Sequence, residues 1–533
     1  MCKLDWTVLP KESRILAMVT QKDRVAVIGA GIGGLAAAIR LAAAGRDVTV
    51  FEAHGWPGGK MRIVGSAAGP VDAGPTVLTM RHVLEELFAT AGASLESHVT
   101  LNPLPVLARH FWRDGTTLDL MPEPEANAHT IGAVFGVRAR SEFLRFETET
   151  RTLFDAFRAP IMDSAHPDAF GAARAALAKP SVMPWLIPGR SLARMLAARF
   201  SEPRLRQLFG RYATYIGGNP LTAPAVLGLV WQAEANGVWA VKGGMAGLAR
   251  ALSDLLERIG GLVHLNTPVA QILTSGETVT GLRTADGVEF PFSQVVFNGD
   301  PEALPYLLSQ AKPRKPTPRS LSAHVWTFAG EVAPEGLGRE ALAYHSVFFA
   351  DDPVQEFEPL ARGEMPQDPT IYVCAQDRAE RVPDGAERFQ FILNAPALHR
   401  AVPETEPPCR TNPFARLQTF GLKLSPHLTD QALTTPGRFA QLFPHSQGAL
   451  YGLSPNGAMA TFQRPQARTK VTGLYLAGGG VHPGAGVPMA LTSGRHAAQA
   501  ALSDRISAPM SRPTATHGGI STESAMTGNA PSR

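Results

Sequence analysis

The stretch RVAVIGAGIGGLAAAIRLAAAGRDVTVFEA, residues 24–53, constrains the fold more than any other part of the chain. VAVIG is an all-apolar run of the length buried in a parallel strand. Gly29-x-Gly31-x-x-Gly34, with Gly33 inside it, follows directly and opens LAAAIRLAAAG, a helix of small and aliphatic residues ending at Gly45. DVTVFEA is then a second strand closing on Glu52. Gly29 permits the tight turn, Gly31 lets backbone approach a pyrophosphate, and Gly34 allows close helix–strand packing. The helix N-terminus adds unpaired N–H groups and a partial positive charge. Glycine turns also arise for purely steric reasons, but a strand before, a helix after and an acid about twenty residues on mark a dinucleotide site. Glu52 would accept from ribose hydroxyls and repel a 2′-phosphate, which argues against NADP.

The next loop, HGWPGGKMRIVGSAAGPVDAGPTVL, carries a second glycine pair, Gly58-Gly59, followed by Lys60 and Arg62. A cationic, glycine-bearing loop here suits a ligand longer than one nucleotide. These residues resemble the FAD-binding amine-oxidase-like superfamily, whose N-terminal signature is GxGxxG, an acid and then GG-[RK]. Asp72-Ala73-Gly74-Pro75-Thr76 is similar to the D-x-G-x-[TH] segment that runs beside the flavin in that superfamily. The passage VHLNTPVAQIL is similar to the strand, here carrying Pro268-Val269, that contacts the adenine through backbone groups.

A second strand–turn–helix unit, GLYLAGGGVHPGAGVPMALTSGRHAAQAAL, stands near the C-terminus. In an FAD fold the helix beginning at Val487 would offer N–H groups to the flavin pyrimidine carbonyl and stabilise negative charge on the reduced ring. Two glycine loops, Gly29–Gly34 and Gly478-Gly479, then serve one extended cofactor. The pattern from Gly478 to Pro488, with RYATYIGGNP and VKGGMAGLARAL, looks like the carotenoid desaturases, and GAGVPM with Met489 leans toward their hydroxycarotenoid 3,4-desaturase branch. The resemblance implies an α/β chain: a Rossmann-like FAD domain built from residues 24–110, 225–311 and 466–506. An α+β substrate domain, residues 111–224 and 312–465, is inserted into it.

That activity removes two hydrogens from a saturated bond beside a conjugated polyene. Positive charge developing on the substrate is delocalised, so positioning in a dry tunnel matters more than a strong base. His482 and Lys242 are the charged or polar residues placed near the flavin by motif, and His482 could relay a proton or simply cap its own turn. Trp231, Trp239, Met245 and residues 212–216 could line the tunnel or pack an ordinary core. Rival readings are a phytoene desaturase, a cis–trans isomerase holding reduced flavin, an amine or porphyrinogen oxidase, and a non-enzymatic flavin- or lipid-binding module. The electron acceptor, oxygen or a quinone, is left open.

Composition narrows the partners. The chain has 533 residues with net charge +4, and its basic residues form no run, which disfavours nucleic acid. Its three cysteines form neither a disulfide framework nor a metal cluster, as suits a reducing cytoplasm. Residues 1–23 read as a loose leader and 507–533 as a disordered tail. No segment reads as a clean membrane span. KPSVMPWLIPGRSLARMLAARF, residues 179–200, joins a Trp-bearing apolar patch to arginines and suits either peripheral membrane contact or a core-packing helix.

Overall fold

A computed structural model describes residues 24–167, 169–310, 317–398, 412–457 and 460–504; the expected leader and tail lie outside them. The all-apolar runs pair as parallel strands, the arrangement that buries both faces. Arg24–Ile28 is central, with Asp47–Phe51 and then Leu262–His264 on one side. Gln294–Phe297 and then Leu474–Leu476 lie on the other. Strand order reverses at Arg24–Ile28, so the crevice for a ligand opens at its carboxyl end, where the first glycine turn begins.

The helix Ile32–Ala43 is buried along most of its length, and the last helix, Val487–Ser503, packs on it. Small residues set that approach. A Cβ on Gly494 would lie 2.3 Å from the Gly33 carbonyl oxygen and 2.9 Å from Ala36 Cβ.

A second sheet lies beyond. Ser322–Gly336, Glu387–Ala395, Ile371–Ala375 and His345–Phe348 run antiparallel in that order, and Ala108–Phe111 joins His345–Phe348 in parallel. Thr117–Leu120 pairs back on Ala108–Phe111, forming the hairpin that Asp114-Gly115 signals in the sequence. Through that pairing the second layer begins ahead of residue 110, inside the segment expected to serve the nucleotide.

Side chains alternate across this sheet, as the pleat requires. Phe111, Phe348, Ile371, Val373 and Phe391 pack with Leu417 and Leu422. Val347, Phe349 and Tyr372 face the other way, into a cluster with Phe143, Phe146, Phe209 and Trp231 of a helical cap. The cap includes the helices Val137–Phe157, Pro203–Gly210 and Val230–Ala235. Ahead of that last helix, Arg211–Ile216 and Ala225–Leu229 form short helical turns.

Candidate functional site

The two glycine turns, more than four hundred residues apart in sequence, touch. A Cβ on Gly33 would lie 2.7 Å from the Gly478 nitrogen and 2.8 Å from its Cα. Asn298, at the end of Gln294–Phe297, lies against both turns: its Nδ2 donates to the Gly29 carbonyl at 3.1 Å, and its Oδ1 would be 2.8 Å from a Cβ on Gly478. The Gly58-Gly59 pair closes on the same place. Gly58 N–H donates to the Ala30 carbonyl at 2.8 Å, and a Cβ on Gly59 would lie 3.2 Å from Gly31 Cα. Glu52, 5 % exposed, accepts from Ala30 N–H at 2.7 Å and His54 N–H at 2.9 Å. It therefore ties the turn to the following loop, and its remaining lone pairs can still receive hydroxyls.

Both helices opening here begin on glycine, Gly31 and Gly486, with no side-chain cap and no acid in the first turn. Their positive ends are left for a ligand. Buried cations gather nearby. Lys60 Nζ donates to the Leu450 carbonyl at 2.5 Å, and burial lowers it to about 8, with Asp300 opposing and Arg319 and Arg464 reinforcing the shift. Arg319 pairs with Asp300, both nearly inaccessible. Arg464 donates to the carbonyls of Tyr451 and Gly479 at 2.9 and 3.0 Å. Three cations thus share one carboxylate. Arg62 donates to Thr434 Oγ1 at 2.5 Å, its Nε has no partner, and burial and then Arg438 lower it to about 10. Buried surplus positive charge needs an anion, and converging glycine turns with open helix ends fit the diphosphate of a dinucleotide. Arg464 and Asn298 were not legible as site residues, because each acts through contacts far along the chain.

The Asp72–Thr76 strap is held from both sides. Asp72 accepts from Met245 N–H at 2.7 Å and Ala246 N–H at 3.1 Å, capping the helix Gly244–Arg258. A Cβ on Gly244 would lie 2.4 Å from Asp72 Oδ2, which explains the second KGGM glycine, while Gly243 meets no neighbour and is set by its left-handed φ of +84°. Asp72→Ala should cost about 1–2 kcal/mol of stability, and Gly244→Ala should cost at least as much; urea unfolding checks both. On the sheet side, Gln390 Nε2 donates to the Gly74 carbonyl at 2.9 Å and Thr76 Oγ1 meets Tyr372 Oη at 2.7 Å. Val269 opens the strand Val269–Ser275, half-buried and paired with Thr284. Val487 and Pro488 are buried and Met489 partly so.

His482 and Lys242 have separate placements. Lys242 is exposed on the turn before Gly244–Arg258. His482 is 2 % exposed, and its Nε2 donates to the carbonyls of Ile161 and Ser164, both at 3.0 Å. His496 stacks on it at 5.8 Å and contacts the Asp163 carbonyl through Nε2 at 3.0 Å. The pair fastens residues 161–164 to the last glycine turn and helix. Burial lowers both imidazoles, His496 to about 4. An unfolded chain titrates them near 6.5, so unfolding takes up protons as the medium acidifies. Their contribution is complete above pH 6.5 and falls away toward pH 4. The melting temperature should therefore drop over that window, and His496→Gln should flatten the profile.

A cavity of about 550 Å³ lies away from the glycine turns, between the second sheet and the cap. Its walls include Trp112, Gln207, Arg211, Phe349, Thr370 and Asn394. Trp231, Trp239, Met245 and residues 212–216 do not line it. Trp231 instead packs in the cap core with its Nε1 donating to Glu147 at 2.7 Å, and Met245 packs beneath the first layer.

The flavin-containing amine oxidoreductase family profile matches residues 32–385 and 428–502. The chain is 51 % identical to hydroxyneurosporene desaturase of Cereibacter sphaeroides over 90 % of this chain and 98 % of that one. It is likewise 51 % identical to the enzyme of that name from Rhodobacter capsulatus, over 91 % and 98 %. Cyclohexylamine oxidase from Brevibacterium oxydans superposes with a TM-score of 0.53 at 17 % identity, covering 90 % of this chain and 98 % of that one, a likeness of fold.

Proposed function

The chain belongs to the flavin-containing amine oxidoreductase family, within it to the carotenoid desaturases on the hydroxyneurosporene desaturase branch, and from that premise we propose that it desaturates a 1-hydroxy-carotenoid at C3–C4. The observation that carries the reading is the near full-length identity to enzymes so named. FAD is the cofactor, and when bound it supplies the two-electron oxidant. In the proposal Gly29, Gly31, Gly33 and Gly34 hold the diphosphate with Gly58, Gly59, Lys60 and Arg62. Glu52 takes the ribose and Val269 the adenine. Thr76, Gly478, Gly479, Val487, Pro488 and Met489 surround the flavin. In this proposal the substrate side also takes in Ala108–Phe111 of the second sheet and Ala225–Leu229 and Val230–Ala235 of the cap, pieces of the segments that the sequence reading assigns to the nucleotide.

The chain's own part is positioning. Cap and sheet enclose the polyene in a wall carrying Trp112 and Phe349, exclude water, and align the saturated bond. The lost proton is acidified by neighbouring delocalised charge, so no strongly basic side chain is required, and His482, neutral and bonded to two carbonyls, acts as a fastener. Electrons leave to oxygen or a quinone. To test the reading, purified protein with FAD in liposomes is offered 1-hydroxyneurosporene, neurosporene and phytoene. The hydroxylated polyene should lose two hydrogens fastest; preferred conversion of phytoene, or isomerisation at unchanged mass, contradicts it.

Peripheral membrane contact belongs to the same proposal, since the substrate is a lipid-soluble polyene. No helix among the described residues is long and apolar enough to cross a membrane. Of the two readings of residues 179–200, Trp185 takes the core-packing one: it is 1 % exposed, and its Nε1 donates to Glu149, which also pairs with Arg199. The exposed apolar side chains lie just before and around it: Phe170 at 81 %, Leu177 at 73 %, and Met183 and Ile187 at 45 %. Basic residues follow at Arg190 and Arg194, the mixture that favours an anionic bilayer surface. A Phe170→Glu, Leu177→Glu variant should shift from floating with anionic liposomes to the soluble fraction.

A further inference from the structure

The sheet face beneath the cap carries polar groups that the reaction described so far does not use. Register places them in rows. Trp112, Phe349, Thr370 and Asn394 stand at the cavity. One row inward, His110 is in register with Val347 and Val347 with Tyr372. The next row holds His345, Cys374 and Gln390. Rows are about 7 Å apart, so the face leads from the cavity toward Gly74 and Thr76 on the flavin strap.

Among the described residues, His110 Nε2, His345 Nε2 and Gln390 Oε1 are buried without a hydrogen-bond partner. His110 Nδ1 lies 3.2 Å from the Leu118 carbonyl, so that nitrogen carries the proton and Nε2 is a bare acceptor. His345 Nδ1 lies 2.6 Å from Tyr372 Oη, which in turn meets Thr76. Burial and the Arg211 charge hold both rings neutral, near 3. Arg211 stands opposite on the cap. It lines the cavity, lies over the Tyr372 ring at 5.6 Å and donates through one nitrogen to Tyr215 Oη at 3.1 Å. A guanidinium has further N–H groups to give.

Unpaired buried polar atoms on the sheet, His110 Nε2 and Gln390 Oε1 among them as acceptors, lie inward of the cavity wall and face a cationic donor on the cap, a poor surround for a hydrocarbon end, which would leave them unpaired. A hydroxyl needs both: an acceptor for its proton and a donor for its oxygen. We propose that His110 and His345 on the sheet, opposed by Arg211 on the cap, receive the terminal hydroxyl of the polyene and so set which end enters. This rests on the desaturase reading and deepens it. A hydroxyl fixed here, two carbons from the bond to be oxidised, fixes that bond's position beside the strap as well.

The test uses the full-length, flavin-loaded enzyme in liposomes with 1-hydroxyneurosporene and neurosporene, which differ at that terminus. Affinity is read from quenching of tryptophan emission, and kcat/KM from product. Wild type should prefer the hydroxylated polyene by about tenfold or more in both measurements. His110→Phe and His345→Phe, which keep an aromatic of similar size, should reduce the preference to near unity. Variants are compared only at wild-type flavin content and circular dichroism, and Arg211→Met is a third arm if a histidine variant fails to fold. Full preference in folded variants, as expected if these atoms merely hold ordered water, overturns the proposal. A wild type that desaturates neither polyene fails the desaturase reading instead, a different result.

Discussion

Gly33→Ala should give a chain that folds but releases FAD. The added Cβ would meet two backbone atoms of Gly478 and Asn298 Oδ1, all under 3 Å, and backbone cannot rotate away as a flexible side chain does. Overpacking of this kind costs about 1–3 kcal/mol, which, falling on the junction proposed to hold the cofactor, corresponds to about one to two orders of magnitude in affinity. Gly65→Ala, where nothing lies within 4 Å, is the control. Flavin titration of the two proteins should separate them; equal affinity would mean that contact between the turns is incidental to holding the cofactor.

A large loss of stability is expected at Arg378 and Glu387, whose side chains are only 2 and 3 % exposed. Arg378 Nε and Nη2 reach the two Glu387 oxygens at 2.7 and 2.5 Å, and Nη1 donates to the Leu342 carbonyl at 3.0 Å. The pair pins Ile371–Ala375 to Glu387–Ala395, the strands that carry Tyr372 and Gln390. Removing one partner strands a buried charge, so Arg378→Met or Glu387→Leu alone should cost about 3–5 kcal/mol. The double replacement should recover much of that, since an apolar pair of similar volume often substitutes for a buried ion pair. Urea midpoints of the three variants decide it. Single variants within about 1 kcal/mol of wild type would place the pair among weak surface bridges.

What could be read from the sequence follows from how far each contact reaches along the chain. The first turn is local: strand, glycines, helix and Glu52 all lie within residues 24–53, and period and turn chemistry declare them. The second turn could be joined to the first because both carry the same strand–glycine–helix pattern. By contrast, Asp72 capping Gly244–Arg258, Arg464 reaching Gly479 and Asn298 beneath both turns are pairings across roughly fifteen to three hundred residues, and no local pattern encodes them. For Trp185 the sequence left two readings, because a Trp beside arginines suits a lipid interface as well as a core. Its direction was decided by Glu149, thirty-six positions earlier. The row of His110, Val347 and Tyr372 was hidden for the same reason: alternation assigns a face within one strand, but only pairing shows which strands share it.

The central claim is that one flavin, held where both glycine turns meet, oxidises a hydroxylated polyene. Anaerobic mixing of the flavin-loaded enzyme with 1-hydroxyneurosporene tests it most directly, with flavin and polyene absorbance followed together. The account predicts that the oxidised flavin band bleaches in step with a red shift of the polyene, as one double bond joins the conjugated system. A polyene that shifts while the flavin stays oxidised, or a flavin that stays oxidised beside unchanged polyene, would contradict it.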